Sequence, residues 1–327
     1  MIRFGVIGTN WITDSFLEAA NEIEDFSLTA VYSRTDERAK EFATKHHVPY
    51  AFTSIEEMAQ SDVVDAVYIA SPTSFHASHA ISLLKHGKHV LCEKPIASNT
   101  RELMEMIQAA KENKVLLMEA LKSGFLPSYS SIRENLYKIG PVRRYFASFC
   151  QYSSRYDAYK EGTVLNAFKP EFSNGSLMDI GVYCIYPMVQ LFGKPDSIKA
   201  SGLMLESGVD GEGGILAHYK DMEGTMMFSK ITNSFIPSEI QGEKGSILID
   251  KISEPEKVEI RYRDGRVEDI SNLPEHHTMY YETKEFIELI KNGSLESTVN
   301  TYENSIAVME LLDEARKQIG LKFPADR

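Results

Sequence analysis

Over its first 120 residues the chain alternates short apolar runs, rich in Val, Ile and Tyr, with longer segments whose apolar residues recur at helical spacing. The runs Ile2–Ile7, Leu28–Ser33, Asp65–Ala70, His89–Glu93 and Val115–Met118 are apolar nearly throughout, the pattern of parallel strands covered on both faces. Between them the spacing predicts helices at Trp11–Glu22, Asp36–His46, Ser74–His86 and Thr100–Asn113, with Gly87 as a C′ residue after the third. Repeated βα units of this kind fold as a doubly wound parallel sheet, so the fold class is α/β.

After Pro127 a further helical stretch, Ser128–Ile139, stops at Gly140-Pro141, and the pattern changes to alternating strands with hairpin signals. Met222–Ile231, Ser246–Ile252, Val258–Arg263 and Arg266–Ile270 read as strands whose partly polar faces suit an antiparallel sheet, and Asp264-Gly265 predicts a type I′ turn. Helices at His277–Lys291 and Glu303–Ile319 complete an α+β domain. A length of 327 residues suits two domains, placed at 1–120 and 121–327.

The charge balance narrows the partners. Lys and Arg number 35 against 47 Asp and Glu, a net −12, and no basic block is interleaved with aromatics, so nucleic acid is not expected. No apolar run approaches the roughly 20 residues needed to cross a bilayer. Cys92, Cys150 and Cys184 are odd in number and never in C-x-x-C spacing, which suggests neither a disulfide framework nor zinc; with no export signal at Met1–Gly8, a cytoplasmic location is expected. His76 and His79 lie i, i+3, yet no third ligand follows at metal spacing, so no metal is expected.

Four local patterns carry chemistry. Gly8-Thr9-Asn10-Trp11-Ile12-Thr13 follows the first strand in the frame of G-x-G-x-x-G but keeps only its first glycine. Asn tolerates left-handed backbone, and the helix that follows offers N–H groups and a positive dipole end to a pyrophosphate; the plainer reading is a tight turn with no ligand. At the end of the second strand, where an NAD site usually places an acidic residue on the ribose, stand Ser33 and Arg34, which suit a 2′-phosphate. The plainer reading pairs Arg34 with Asp36 or Glu37. Glu93-Lys94-Pro95 leaves the strand His89–Glu93 at the carboxyl edge of the sheet, where ligands of such folds bind. Finally, Asp179 and Tyr183 are spaced i, i+4 on a predicted helix, which puts a carboxylate and a phenol on one face, while Gly181 allows close approach. The plainer reading caps the helix with Asp179 and packs Tyr183 under a sheet.

These motifs, with Arg3 to Thr9, Ile69 to Pro72 through His76, Gly87 to Pro95, and Asp179 to Cys184, resemble the Gfo/Idh/MocA oxidoreductase family over nearly the whole chain. The tyrosine at 183 is similar to the branch with dihydrodiol dehydrogenase, NADP-dependent xylose dehydrogenase and glucose-fructose oxidoreductase. The resemblance implies a Rossmann domain, then an α/β domain with a large, mostly antiparallel open sheet that commonly forms a dimer face, and an active site in the cleft between them. It places Gly8, Thr9, Asn10, Trp11 and Ile12 on the pyrophosphate turn, Ser33 and Arg34 on the adenosine ribose, and Ser71, Pro72, Thr73 and His76 on the nicotinamide half. Glu93 and Lys94 fall at the reaction centre, completed by Asp179 and Tyr183. Asn10 and Thr13 replace family glycines, and Thr73 stands where many members have Asn.

The activity so implied is hydride transfer between a nicotinamide and a sugar, polyol or diol carbon. Tyr183 is the acid/base, Lys94 its assistant, and Asp179, with Lys122, a substrate contact. NADP(H) is the preferred cofactor, with NAD(H) the alternative, and a homodimer or dimer of dimers is expected. Two other readings stand beside it: a dinucleotide-binding regulator without turnover, and an NAD-dependent glycosidase. Cys184, with no His signature near it, is read as a small buried thiol.

Overall fold

The computed structural model describes residues 1–326. They form two compact units, one of Met1–Lys122 with His276–Tyr302, the other of Ser123–Glu275 with Glu303 onward.

In the first unit β1 (Ile2–Ile7), α1 (Trp11–Ala20), β2 (Phe26–Tyr32), α2 (Asp36–His46), β3 (Tyr50–Phe52), α3 (Ile55–Gln60), β4 (Ala66–Ile69), α4 (His76–Lys85), β5 (His89–Glu93), α5 (Thr100–Asn113) and β6 (Leu117–Ala120) follow in order. The six strands are all parallel, in the order β3-β2-β1-β4-β5-β6, the doubly wound arrangement expected. The order reverses between β1 and β4, so the ligand crevice of such a sheet lies at their carboxyl ends. Two short elements, β3 and α3, were not expected. Tyr50-Ala51-Phe52 is a three-residue edge strand with two exposed side chains, too brief and too wet to show a period.

The second unit holds α6 (Pro127–Asn135), β7 (Val142–Cys150), α7 (Tyr156–Lys160), a π turn at Leu177–Gly181, α8 (Val182–Phe192), and strands β8 (Ser197–Met204), β9 (Asp210–His218), β10 (Glu223–Ser229), β11 (Ser238–Gly242), β12 (Gly245–Ile249), β13 (Val258–Tyr262) and β14 (Val267–Asp269). They form one open sheet, β14-β13-β12-β11-β7-β10-β9-β8, antiparallel except where β7 and β10 run parallel. Gly224, Met226 and Phe228 of β10 face the covered side, under the π turn and α8, while Met227 faces out. The hairpin between β13 and β14 corrects the type I′ expectation. The Gly265 N–H donates to the Tyr262 carbonyl at 3.0 Å, so Arg263 and Asp264 are the central residues. Only Gly265, at φ +89°, is left-handed, whereas type I′ needs two such residues; this is a type I turn closed by a glycine bulge.

The last two helices are α9 (Tyr280–Lys291) and α10 (Tyr302–Ile319). α9 packs in the first unit, where Phe286 is fully buried with its ring centroid 6.0 Å from Phe4. The sequence reading grouped this helix with the second domain, because chain order is all that a sequence offers there. Among the described residues no helix is long and apolar enough to cross a membrane.

Candidate active site

At the carboxyl end of β1, Gly8 adopts φ +106°, and a Cβ there would lie 2.6 Å from the Ala70 carbonyl oxygen beyond β4. Only glycine fits both demands. Asn10 is not left-handed, contrary to expectation. It is extended (φ −106°, ψ 177°) and caps α1, its Oδ1 accepting from the Ile12 N–H at 3.0 Å while its Nδ2 donates to the Ala70 carbonyl at 3.0 Å. Thr13, buried in place of a third glycine, donates to the Gly8 carbonyl at 3.1 Å. The turn is thus held by side chains where the motif usually relies on glycines. Thr9 and Ile12 are half-buried, and the Trp11 ring is 67% exposed.

At the end of β2 the Ser33 N–H donates to the Phe52 carbonyl. Arg34 is exposed and makes no hydrogen bond or ion pair among the described residues; Asp36, a candidate partner in the sequence, pairs with Lys40 at 2.7 Å instead. An unengaged guanidinium beside a glycine-floored helix N-terminus fits the 2′-phosphate and pyrophosphate of NADP(H).

Ser71, Pro72 and Thr73 lead from β4 into a short 3₁₀ turn and α4. His76 is buried, its ring nitrogens facing the Pro95 carbonyl at 3.0 Å and the Ser71 carbonyl at 2.8 Å. Burial outweighs those carbonyls and lowers its pKa to about 4, so the ring is neutral. His76 therefore braces the loop after β4 against the one after β5. His79, also lowered to about 4 by burial, faces the Ser71 hydroxyl at 3.2 Å.

The loop after β5 contains a cis Lys94–Pro95 peptide bond. Glu93 accepts from the Tyr68 hydroxyl at 2.6 Å and from the Lys94 N–H at 3.2 Å. Burial raises the Glu93 pKa, opposed by Tyr68 and by the charges of Lys94 and Lys122. The Ile96 N–H donates to the buried Glu119 at 3.1 Å, which fixes the loop just past the lysine. Lys122 donates to the Thr278 hydroxyl at 3.2 Å. Its charge is felt by Glu282 of α9, which is 1% exposed and whose Oε2 has no hydrogen-bond partner among the described residues; burial, then the nearby Glu93, pushes this carboxyl well up. Tyr68 and Glu282 were missed from the sequence, since each reads as an ordinary residue of a core strand or an amphipathic helix.

In the second unit Asp179 lies in the π turn and Tyr183 on the first turn of α8. The sequence predicted one continuous helix here. The π turn instead inserts a wider coil, a distortion frequent at functional sites. Gly181 is needed by packing, since a Cβ there would stand 3.1 Å from the Phe228 ring. Tyr183 is half-buried, edge-on to Phe149 with centroids 5.7 Å apart. Asp179 pairs at 2.5 Å with Lys230, a lysine that is almost wholly buried just past β10. Nothing in the sequence marks Lys230, which stands 51 residues from its partner. Cys184 is buried, and burial raises its thiol far above the usual range, as a structural thiol requires. Among the described residues no cluster of His, Cys, Asp and Glu could hold a metal.

Residues 2–121 match the model of an oxidoreductase family with an NAD-binding Rossmann fold, GFO_IDH_MocA, and residues 137–248 match the C-terminal domain of the same family. The chain is 60% identical over 327 residues to a scyllo-inositol 2-dehydrogenase (NADP(+)) of Bacillus subtilis, with 100% of each covered. It is 31% identical over 336 residues to a trans-1,2-dihydrobenzene-1,2-diol dehydrogenase of Xenopus laevis, with 98% of this chain and 99% of that one covered. Among solved structures, a 3-ketoreductase from Actinomadura kijaniata in complex with NADP and TDP-benzene superposes with a TM-score of 0.85 at 25% identity, over 97% of this chain and 98% of that one. With both of its sheets, its glycine turn and its full length matched, the chain belongs to the Gfo/Idh/MocA oxidoreductase family.

Proposed function

We propose that this protein is an NADP(H)-dependent oxidoreductase acting on a CH–OH group of a cyclitol or a related polyol, sugar or diol. What supports the reading above all is the glycine-floored turn with the unengaged Arg34 nearby, in a chain 60% identical end to end to an NADP(+)-linked cyclitol dehydrogenase. Gly8, Thr9, Asn10, Trp11 and Ile12 hold the pyrophosphate, Ser33 and Arg34 the phosphorylated ribose, and the Ser71–Thr73 loop, braced by His76, the nicotinamide half. The bound cofactor supplies the hydride acceptor or donor.

Tyr183 exchanges the hydroxyl proton. Lys94 acts as its assisting cation, since an ammonium favours the anionic form of a phenol that it serves. Lys94 also stabilises the substrate oxygen as charge develops on it. Asp179 accepts from a neighbouring hydroxyl and so orients the ring. The exposed Leu203, Leu216 and Met227 on the open sheet support a homodimer or dimer of dimers through that face. The absence of paired cysteines supports a reducing, cytoplasmic setting.

The test is fluorescence titration with NADPH and NADH, followed by turnover of cyclitols, aldoses, polyols and diols by wild type, Lys94→Met and Tyr183→Phe. The expected result is tighter NADPH binding, with turnover reduced about 10²- to 10⁴-fold in Tyr183→Phe while cofactor binding survives. Binding without turnover of any substrate points to a regulator. Sugar release from aryl glycosides with no net cofactor change points to a glycosidase.

A further inference from the structure

An ammonium taken out of water costs several kcal/mol unless it is paired and hydrogen-bonded, so a lysine side chain with only 5% exposure needs a reason. The Lys230 Nζ donates to Asp179 Oδ2 at 2.5 Å and points to the Ala167 carbonyl at 3.5 Å, with the Phe168 ring centroid 5.3 Å away. These groups come from three separate stretches of chain. Its backbone is fixed as well, the N–H donating to the Gly211 carbonyl at 2.9 Å. As a stabilising device the pair is poor, because apolar residues of similar volume often do as well as a buried ion pair. Asp179 also keeps about a third of its side-chain surface exposed.

A second carboxylate holds the backbone that carries Asp179. Asp210 is fully buried at the start of β9, and its Oδ2 accepts from the Ser176 hydroxyl at 2.5 Å and the Leu177 N–H at 2.7 Å, the entry to the π turn. The neighbouring Gly175, at φ +135°, leaves no room for a side chain: a Cβ would lie 2.1 Å from Asp210 Oδ1. Asp210 thus sets the main chain of the turn, and Lys230, whose charge both carboxylates feel, sets the side chain at its centre.

We propose that Lys230 is a positioning residue that keeps Asp179 ionised and fixes the plane of its carboxylate, with Asp210 anchoring the turn beneath. The proposal rests on the reading of Asp179 as a substrate contact. Within the second unit Lys230, just after β10, pairs with Asp179 and its charge is also felt by Asp210 on β9, while Tyr183 follows Asp179 by four residues on the first turn of α8. An opposite charge in contact lowers a carboxylate pKa and its loss raises it, so without Lys230 the substrate is gripped only at higher pH.

The experiment uses the full chain with NADP+ and scyllo-inositol as probes and compares wild type, Lys230→Met, Lys230→Gln, Lys230→Arg and Asp179→Asn. NADPH affinity is expected to stay within twofold throughout. In Lys230→Met and Lys230→Gln, KM for scyllo-inositol rises about 10-fold or more, and the acid limb of kcat/KM moves up by about one pH unit or more. Lys230→Arg keeps the acid limb in place and raises KM by less. Adding Lys230→Gln to Asp179→Asn has no further effect, since the lysine acts through the aspartate. Independently of turnover, ¹³C-carboxyl NMR, with the Asp179 signal assigned by its absence in Asp179→Asn, follows the titration directly. The same Asp179 titration with and without the lysine charge, or a lower melting temperature with unchanged KM and pH profile, overturns the proposal. Unchanged kinetics in Asp179→Asn overturns instead the reading of Asp179 on which it stands.

Discussion

Arg34 makes no ion pair with the acidic neighbours the sequence offers it among the described residues, so its proposed role at the 2′-phosphate can be measured directly. A charge-assisted hydrogen bond contributes about 1.5–3 kcal/mol, so Arg34→Ala is expected to weaken NADPH roughly 10- to 100-fold and NADH little, as read by fluorescence titration. An equal loss for both cofactors would place the guanidinium elsewhere. His76 and His79 bear on acid stability. Their folded pKa values of about 4 lie below the ordinary 6.5, so between those values the unfolded chain binds more protons. Their contribution is therefore complete above about pH 6.5, declines as pH falls and levels off below about 4, amounting to about 3 kcal/mol for His76. Melting temperature is expected to drop several degrees from pH 7 to pH 5, and less in His79→Gln. The proposed site residues Gly8, Lys94, Asp179 and Tyr183 are readable from sequence because each sits in a local frame. Lys230, Asp210, Tyr68 and Glu282 are not, because what distinguishes them is the burial of a polar group among residues distant in the chain.

Among the elements, the junction of β1 and α1 is the most constrained. Gly8→Ala combines a left-handed backbone with a contact of 2.6 Å to a carbonyl, so it is expected to cost about 1–3 kcal/mol of stability and to weaken NADPH binding sharply. Asn10→Ala, which loses the cap of α1, is expected to cost about 1 kcal/mol, whereas Asn10→Gly costs only a few tenths; thermal melts distinguish the two. Five of the six parallel strands were legible because they are buried on both faces and read as unbroken apolar runs. In the open sheet β7, β8, β9 and β11 were not. On β7, β8 and β9 burial mixes buried, half-buried and exposed positions, with glycines on β8 and β9, and that leaves no clean period of two; β11, Ser-Glu-Ile-Gln-Gly, is five residues with one apolar side chain. The π turn was hidden for a related reason, since Leu177 to Phe192 carries helical spacing while the wider coil depends on Asp210, 31 residues beyond Asp179.

For the whole molecule, the exposed face of the eight-stranded sheet sets the expectation for assembly. Leu216→Lys, at a position 59% exposed on that face, is expected to shift the mass in light scattering from twice 36.9 kDa to 36.9 kDa, leaving NADPH affinity unchanged. A wild-type mass of one chain would remove the dimer. The first unit, finally, is not a contiguous stretch: α9 and the loop after it belong to it, with Phe286 beside Phe4 and the Asn300 amide donating to the carbonyls of Glu119 and Leu121. A ribosome adding roughly 5–20 residues each second reaches Asn300 some ten to forty seconds after Lys122. Through that interval the newborn nucleotide-binding half waits with an apolar seam open to the cell, and it closes only once α9 and the loop after it have been made.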